Sequence, residues 1–483
     1  MENGRAVTTS ILGKLKDLLR RQTRLGRLLW LRSALLCLHN LWVFYPLRRL
    51  YNLLYYIYLI KVRKYQPLKL EGNIKNGVFY LCLVENDKGT LLFKIPHLNS
   101  RYSYSLYRNL RDLKTFDEYS RMLKSLPDDP ILGKHLPRVK EVKRGGAYWS
   151  SYVKGYNLIV VRDMLLNCRS LPVDLKPTEL IHAIDELLQK LQEFKDSNGQ
   201  IVGDWGIHNL IYDKVNHRVL NVDLEGFFLY RDGSFQVDIL YTQALLWLDS
   251  LKEMLRIQEK QIPEDIAILK TLSLVDFATK STVAYSGRGF PSGYHSLMLR
   301  GRFFRGQREC AIRLATVPYD FTGKVVLDLG CNCGGMIHCL ADKISAGIGV
   351  DRDSKYINAA NAIKSLNGDY NLNFFVLDLD RDNLSTIDSF MLDKRVDICF
   401  LLSICMWLKN WKRVITQSSR IADTLLFESN GDNQQQKEQV EFLHQLFTSV
   451  ELIDSESHDD LVQSKRALYL CHGVRDGQSL ETK

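Results

Sequence analysis

The stretch KVVLDLGCNCGGMIHCLADKISAGIGVDRDSKYINAANAIKSL, residues 324–366, decides the fold of the C-terminal part of the chain. Val325–Leu329 is a mostly apolar run of strand length, which breaks at Gly330-Cys-Asn-Cys-Gly-Gly335 into a helical pattern. Glycines at the break let the backbone turn tightly and approach a ligand with no Cβ in the way. A second run, Ala346–Val350, ends on Asp351, twenty-one residues past Gly330. An acid at that distance falls at the carboxyl end of the next parallel strand, placed to bind both hydroxyls of a ribose. A dinucleotide-binding domain fits less well, because Asp328 precedes the first glycine and the loop reads G-x-N-x-G.

Downstream the remaining elements arrive in order. Asn373–Leu377 reads as a third strand followed by Asp378, whose carboxylate can accept from an adenine amine. Val396–Ser403 reads as a fourth, leading into ICMWL, and Thr424–Glu428 as a fifth, with a helix around Gln435–Phe447 after it. Val450–Ser455 and Arg466–Cys471 close the sheet as a hairpin. A doubly wound, Rossmann-like sheet that finishes in this way resembles the class I S-adenosylmethionine-dependent methyltransferases, over roughly 160 residues. The resemblance implies S-adenosylmethionine as cofactor, in a pocket formed by Asp328, Gly330, Asn332, Gly334, Asp351 and Asp378.

The methyl acceptor is constrained by what is missing. The end of the fourth strand lacks the [Asp/Asn]-Pro-Pro-aromatic motif of amino-group methylation on nucleobases, and it offers Met406-Trp407 where many small-molecule methyltransferases carry a His base. A hydroxyl acceptor needs a base as transfer proceeds, whereas a phosphate or carboxylate is already anionic. The reading therefore leans towards an anionic oxygen. Upstream, YHSLMLRGRFFRGQREC (294–310) and the residues after it supply Arg300, Arg302, Arg305, Arg308 and Arg313. These read equally as a lid or anion clamp and as a solvated basic helix with Arg313 pairing locally. His338, His444 and His458 are further candidate bases with no assigned place. Cys331, Cys333 and Cys339 cluster, but no other ligands complete a tetrahedral metal site.

Before this part stands a different pattern. Gly77–Glu85 and Thr90–Ile95 read as two strands around a short turn, with Lys94 near the end of the second. Ser105–Leu126 reads as a helix carrying Glu118, Pro137–Val142 and Ala147–Tyr152 as another hairpin, and Glu179–Phe194 as an amphipathic helix. Then comes IVGDWGIHNLIYDKVNHRVLNVDLEGF (201–227), where Asn209 follows Asp204 by five residues and Asp223 follows Asn209 by fourteen. Leu210–Tyr212 and Val219–Val222 form a hairpin between the last two. Phosphoryl transfer needs a carboxylate to orient the acceptor, metal ligands that bridge the phosphates and a cation for the nucleotide charge. Asp204 can accept the hydroxyl proton, Asn209 and Asp223 can hold Mg²⁺ through oxygen, and Lys94, steadied by Glu118, can reach the phosphates of ATP.

Asp-x4-Asn followed by Asp-x-x-Gly resembles the catalytic core of the protein-kinase-like fold, in particular the small-molecule and lipopolysaccharide kinases. That resemblance implies a bilobal domain with Asp204 as catalytic base, Asn209 and Asp223 as metal ligands, Lys94 as the phosphate lysine and Glu118 as its partner. Val202 stands where such loops usually carry His, no G-x-G-x-x-G precedes Lys94, and Asp117 competes with Glu118 for its role. An inactive, substrate-binding scaffold of the same shape is the alternative.

Residues 1–64 hold thirteen basic and two acidic residues, a net +11, which leaves −1 for the other 419. The +10 of the whole chain is thus the charge of one arm and says little about nucleic acid. Arg20, Arg24 and Arg27 recur at helical spacing against Leu18, Leu25 and Leu29, with Trp30, Trp42 and Tyr45 beyond. The longest uncharged run, Ser33–Leu47, is fifteen residues, against about twenty for a membrane-spanning helix. The arm reads as a helical peripheral anchor on an anionic leaflet or as an extension packed on its own domain or a partner subunit. Ten cysteines without a pairing rhythm suit a reducing compartment.

The expected architecture is therefore multidomain α/β and α+β. It runs as an arm over 1–64, a protein-kinase-like domain over 65–280 and a methyltransferase over 281–483. A phosphate-making domain joined to a phosphate-tolerant methyltransferase resembles the bifunctional kinase–methyltransferases that terminate bacterial O-antigen polysaccharides, with the domain order reversed. The resemblance implies a glycan or lipid-linked glycan acceptor and work at the cytoplasmic face of the inner membrane, while the body's net charge of −1 and the missing nucleobase motif argue against a nucleic-acid partner.

Overall fold

Alternating apolar residues in 81–93 and a long uninterrupted apolar strand set in 325–428 produce two different kinds of sheet. The computed structural model describes residues 53, 54, 56–58, 60, 61, 66, 67, 79–86, 89–96, 113–143, 147–229, 235–279, 289–391, 396–463 and 465–474. The chain divides into two compact units, Met1–Val153 and Lys154–Lys483. The arm lies outside the described residues except for short helical pieces between 53 and 61. Among the described residues no helix is long and apolar enough to cross a membrane.

In the first unit, β1 (Gln66–Pro67), β2 (Phe79–Asn86), β3 (Gly89–Pro96), β4 (Val139–Lys143) and β5 (Ala147–Ser151) form an antiparallel sheet in the order β1-β2-β3-β5-β4. Lys94 lies opposite Leu81 on one side and Tyr148 on the other. Leu81, Leu92, Phe93 and Tyr148 are buried, and helix α1 (Leu113–Ser125) contributes Tyr119 and Leu123 to the unit's core. The first eight residues of the expected helix, 105–112, lie outside the described residues.

The second unit begins with β6 (Gly155–Asn157), α2 (Leu158–Leu166) and α3 (Pro177–Asn198). Proline in its first turn starts α3, and Gly199, at φ +70°, ends it in the left-handed conformation that glycine adopts without penalty. Its Leu180, Ile184, Leu187 and Leu191 stripe is fully buried. Burying each such side chain contributes about 1.5–3 kcal/mol. The hairpin β7 (Leu210–Asp213) and β8 (Arg218–Asn221) follows as expected, pairing with β6, and then helices α4 (Leu224–Leu229), α5 (Phe235–Lys260) and α6 (Pro263–Thr279).

The segment read as a basic helix is instead a short hairpin, β9 (Leu297–Leu299) and β10 (Arg302–Phe304), followed by α7 (Cys310–Ala315). The turn at Arg300-Gly301, with φ +48° and +77°, breaks any helix there. Beyond it lie β11 (Val325–Leu329), α8 (Gly335–His338), β12 (Ala346–Asp351), α9 (Ser354–Asn367), β13 (Leu372–Val376), α10 (Thr386–Phe390) and β14 (Val396–Leu402). Then come α11 (Trp411–Ile421), β15 (Ala422–Glu428), α12 (Asn433–Leu446), β16 (Phe447–Asp454) and β17 (Leu468–Val474). The seven strands order as β13-β12-β11-β14-β15-β17-β16, with β17 antiparallel to both of its neighbours and the first five strands parallel. This is the doubly wound sheet with a terminal hairpin that the sequence predicts.

Two cores flank the sheet. Leu327, Leu329, Cys399 and Leu401 face one side with Ile415 and Leu443, and Val326, Ile398 and Phe400 face the other with Ile337 and Ile357. Burial on both faces explains why these strands read as unbroken apolar runs. The strand order reverses direction at β11 and β14, and the crevice at their carboxyl ends is where an open α/β sheet binds ligands.

Candidate active site

That crevice is built from backbone geometry first. Gly330 (φ +86°), Asn332 (φ +53°) and Gly334 (φ +75°) alternate into the left-handed region, which glycine and asparagine tolerate best. A Cβ on Gly330 would come within 2.7 Å of Ile404. The amides of Gly330 and Cys331 both donate to the Val350 carbonyl, at 2.8 and 2.9 Å, which locks the loop to the end of β12. From there Asp351 reaches back: its Oδ2 accepts from the Asn332 amide at 3.1 Å and its Oδ1 from the Asp353 amide at 2.9 Å.

The resulting cleft has about 1070 Å³ of free volume, the solvent at its mouth included, and Asp328, Gly330, Asn332, Asp351 and Asp378 all line it. Five of the six residues expected to hold a cofactor are thus brought to one place. Gly334 supports from behind, where a Cβ would meet Phe374 at 2.5 Å. Burial, and then the neighbouring Asp351 carboxylate, push Asp328 up to about 7. Burial also raises Asp351, against the two amides that favour its ionised form. Burial of these neighbouring carboxylates disfavours their ionised forms, which a nearby positive charge would offset.

The opposite wall holds residues that the sequence did not single out. Tyr294, His295, Ser403, Gln463 and Arg466 line the cleft beside Met406 and Trp407, and Trp407 is half exposed. Behind them is a fully buried ion network. The Arg308 guanidinium grips both oxygens of Glu428 and also Asp459, while Arg313 pairs with Glu428 and Asp454. Ser403 and Ser457 also donate to Glu428. Burial alone would raise Glu428, but Arg308, Arg313 and Arg466 override it and hold the carboxyl at about 2. Four of the five arginines offered for a lid or clamp are therefore paired within the chain, since Arg302 also pairs with Glu253 and Asp265, and Arg305 with Glu309, while Arg300 is exposed at the hairpin turn. Arg466 differs. Its Nη1 donates to Tyr294 at 2.7 Å and faces Asp460 at 3.4 Å, and its other two nitrogens make no hydrogen bond among the described residues. Glu428 could have been found, since it ends a strand as Asp351 does; Arg466 carried no such signal.

The second constellation sits elsewhere in the same unit. The register of β7 and β8 sets Asn209 opposite Val222, whose amide donates to the Asn209 carbonyl at 2.9 Å, so Asn209 and Asp223 meet at one end of the hairpin. The Asp204 carbonyl accepts from Asn221 at 2.9 Å and from Asn209 at 3.3 Å. Its carboxylate accepts from the Gly206 amide at 2.9 Å and lies 3.7 Å from His208 Nε2. A Cβ on Gly226 would fall 2.6 Å from Asp223 Oδ2 and 3.3 Å from the Asp204 amide, so glycine there keeps the two acids together. Lys94 and Glu118 belong to the first unit; Lys94 is buried on β3, 5.3 Å above the Tyr148 ring, and Glu118 is half-buried on α1.

No family model matches the chain, and no characterised protein sequence matches it. Solved structures do, at low scores. EvdMO1 is 12% identical with a TM-score of 0.30, over 37% of this chain and 44% of that one. The N-terminal domain of EvdMO1 with SAH bound is 12% identical with a TM-score of 0.29, over 35% and 82%. The bifunctional kinase-methyltransferase WbdD is 19% identical with a TM-score of 0.26, over 35% and 40%. The chain thus spans less than half the length of full-length EvdMO1 and of WbdD.

Proposed function

We propose that the chain is a bifunctional enzyme. In this reading its Gly330 cleft binds S-adenosylmethionine and methylates an anionic oxygen. Its Asp204–Asn209–Asp223 half phosphorylates a glycan hydroxyl from ATP and Mg²⁺, and that phosphate is the anion. The observation that carries the methyltransferase reading is the convergence of the glycine loop with Asp328, Asp351 and Asp378 on one crevice. When bound, the cofactor supplies an electrophilic methyl on a positively charged sulfur. In this reading Asp351 would hold the ribose, Asp378 the adenine amine, and the buried Asp328 would face the cofactor's positive charge.

The far wall supports the anionic acceptor. His295 is held at about 3 by burial and by Arg308, and burial raises Tyr294, so neither serves as a base near neutral pH. Arg466 offers uncommitted donors instead, and the half-exposed Trp407 offers an apolar face to a sugar ring. In the kinase-like half, Asp204 would take the hydroxyl proton, and Asn209 and Asp223 would hold a metal ion that offsets the phosphate charge. Exposed Leu54, Ile57 and Tyr58, spaced at i, i+3 and i+4, support a membrane-surface role for residues 1–64 on the cytoplasmic face.

Mass spectrometry of glycan acceptors incubated with ATP, Mg²⁺ and methyl donor tests the sequence of steps. Asp204→Ala is expected to abolish phosphate incorporation and the methylation that depends on it. Asp351→Ala is expected to keep phosphorylation and lose donor binding by at least tenfold. Unimpaired methylation by Asp204→Ala, on acceptor never phosphorylated, would replace this reading with one in which the kinase-like half only binds substrate.

A further inference from the structure

His295 is buried to all but 5% of its surface and lines the cleft, and among the described residues neither ring nitrogen makes a hydrogen bond, with Nδ1 sealed from solvent. Nδ1 packs against Gly335, whereas Nε2 is not sealed, so an unpaired nitrogen on a ring nine-tenths buried at the cleft marks a bond that a ligand completes. The backbone that carries the ring is fixed from three sides. The Ser292 hydroxyl donates to the His295 carbonyl at 2.8 Å, the Ser296 amide donates to the Arg308 carbonyl at 2.8 Å, and a Cβ on Gly306 would fall 2.4 Å from the His295 backbone. On the far side the ring lies directly over Gly335, where a Cβ would meet His295 Cβ at 2.4 Å and Nδ1 at 2.8 Å. Glycine at 335 is thus the space that His295 occupies, at the start of the helix that follows the cofactor loop.

The strand order says which end of a bound donor this is. Asp378 follows β13 and Asp351 ends β12, so adenine and ribose run along that side of the sheet. The sulfur and the amino-acid moiety then lie over β11, where Asp328 and the Gly335 turn are. We propose that His295 is a positioning residue whose neutral imidazole hydrogen-bonds the polar amino-acid end of the methyl donor, opposite Asp328. This rests on the methyltransferase reading above. Arg308 and Glu428 are the charged groups nearest the ring and are committed to each other, so the imidazole stays uncharged and acts by orientation, not by proton transfer.

The test compares two probes that differ only at that end. S-adenosylhomocysteine carries the amino acid, and 5′-methylthioadenosine lacks it. By calorimetry on the full chain, His295→Phe, which keeps the ring volume, is expected to weaken S-adenosylhomocysteine on the order of tenfold, as one hydrogen bond would. Binding of methylthioadenosine should not change, and His295→Gln, which restores a polar group near Nε2, should recover most of the loss. If both probes weaken together, the ring merely packs the loop and the proposal is overturned; so it is if neither weakens. Wild-type protein that binds neither probe overturns the methyltransferase reading itself, which is a separate result. Should His295→Phe fail to fold, His295→Leu carries the same comparison.

Discussion

Asp328 concentrates the electrostatic tension of the cleft on one residue. It ends up beside Asp351 because β11 and β12 run parallel in register, with Asp328 opposite Gly349 two residues before Asp351. Raised to about 7 by burial and by that neighbour, it keeps its proton in the empty site at slightly acidic pH. A cationic donor favours the ionised form, so binding below about pH 7 must expel a proton. Donor affinity is therefore expected to rise with pH up to about 7 and to flatten above it, and Asp328→Asn should remove the slope. Calorimetry in buffers of different ionisation enthalpy reads the released proton directly. Proton uptake on binding, or a level profile in the wild type, would contradict the assignment of Asp328 to the donor's positive end.

The elements were largely legible because each leaves a local signature. The buried strands β11, β12, β14 and β15 read as apolar runs, α3 as a 3.6-residue stripe, and the Gly330 loop as a strand-to-helix break. The expected strands β13 and β16 begin within three residues of where they are found. What stayed illegible is long-range. Arg308, Arg313, Glu428 and Asp459 are scattered over 152 residues, and only the folded sheet puts their charges in contact. A basic segment with no visible acidic partner reads as a solvated face or a clamp, and here it is core. The energetic consequence is specific. Removing one member of a buried ion network strands the others, so Glu428→Gln is expected to cost roughly 3–5 kcal/mol in denaturant unfolding. Glu428 titrates at about 2 when folded against 4.5 when unfolded. Its contribution is then fully present above pH 4.5 and drains away as pH falls towards 2. The difference in stability between wild type and Glu428→Gln should shrink over that window, and a difference that stays constant down to pH 2 would show that the charge is not what matters.

On the scale of the whole molecule, charge and chemistry are segregated. Both candidate sites belong to a body whose net charge is −1, while residues 1–64 carry +11. Had the positive charge served substrate binding, it would surround the clefts; instead Arg302, Arg305, Arg308 and Arg313 are spent on carboxylates of their own chain. A surplus confined to one segment with Trp30, Trp42 and Tyr45 suits an anionic lipid surface, where each nearby basic residue contributes about 1 kcal/mol. If the acceptor is the lipid-linked glycan proposed above, it is confined to the same plane and can meet both candidate sites without leaving it. The full-length triple variant Arg20→Gln/Arg24→Gln/Arg27→Gln should then lose about 3 kcal/mol of vesicle affinity, on the order of a hundredfold in partitioning. It should do so only on vesicles containing anionic lipid, with the wild type released by salt, and with donor affinity in solution unchanged. Equal co-sedimentation of wild type and variant would mean that the arm's charge answers to a protein partner, and the case for a surface-bound enzyme would rest on the acceptor alone.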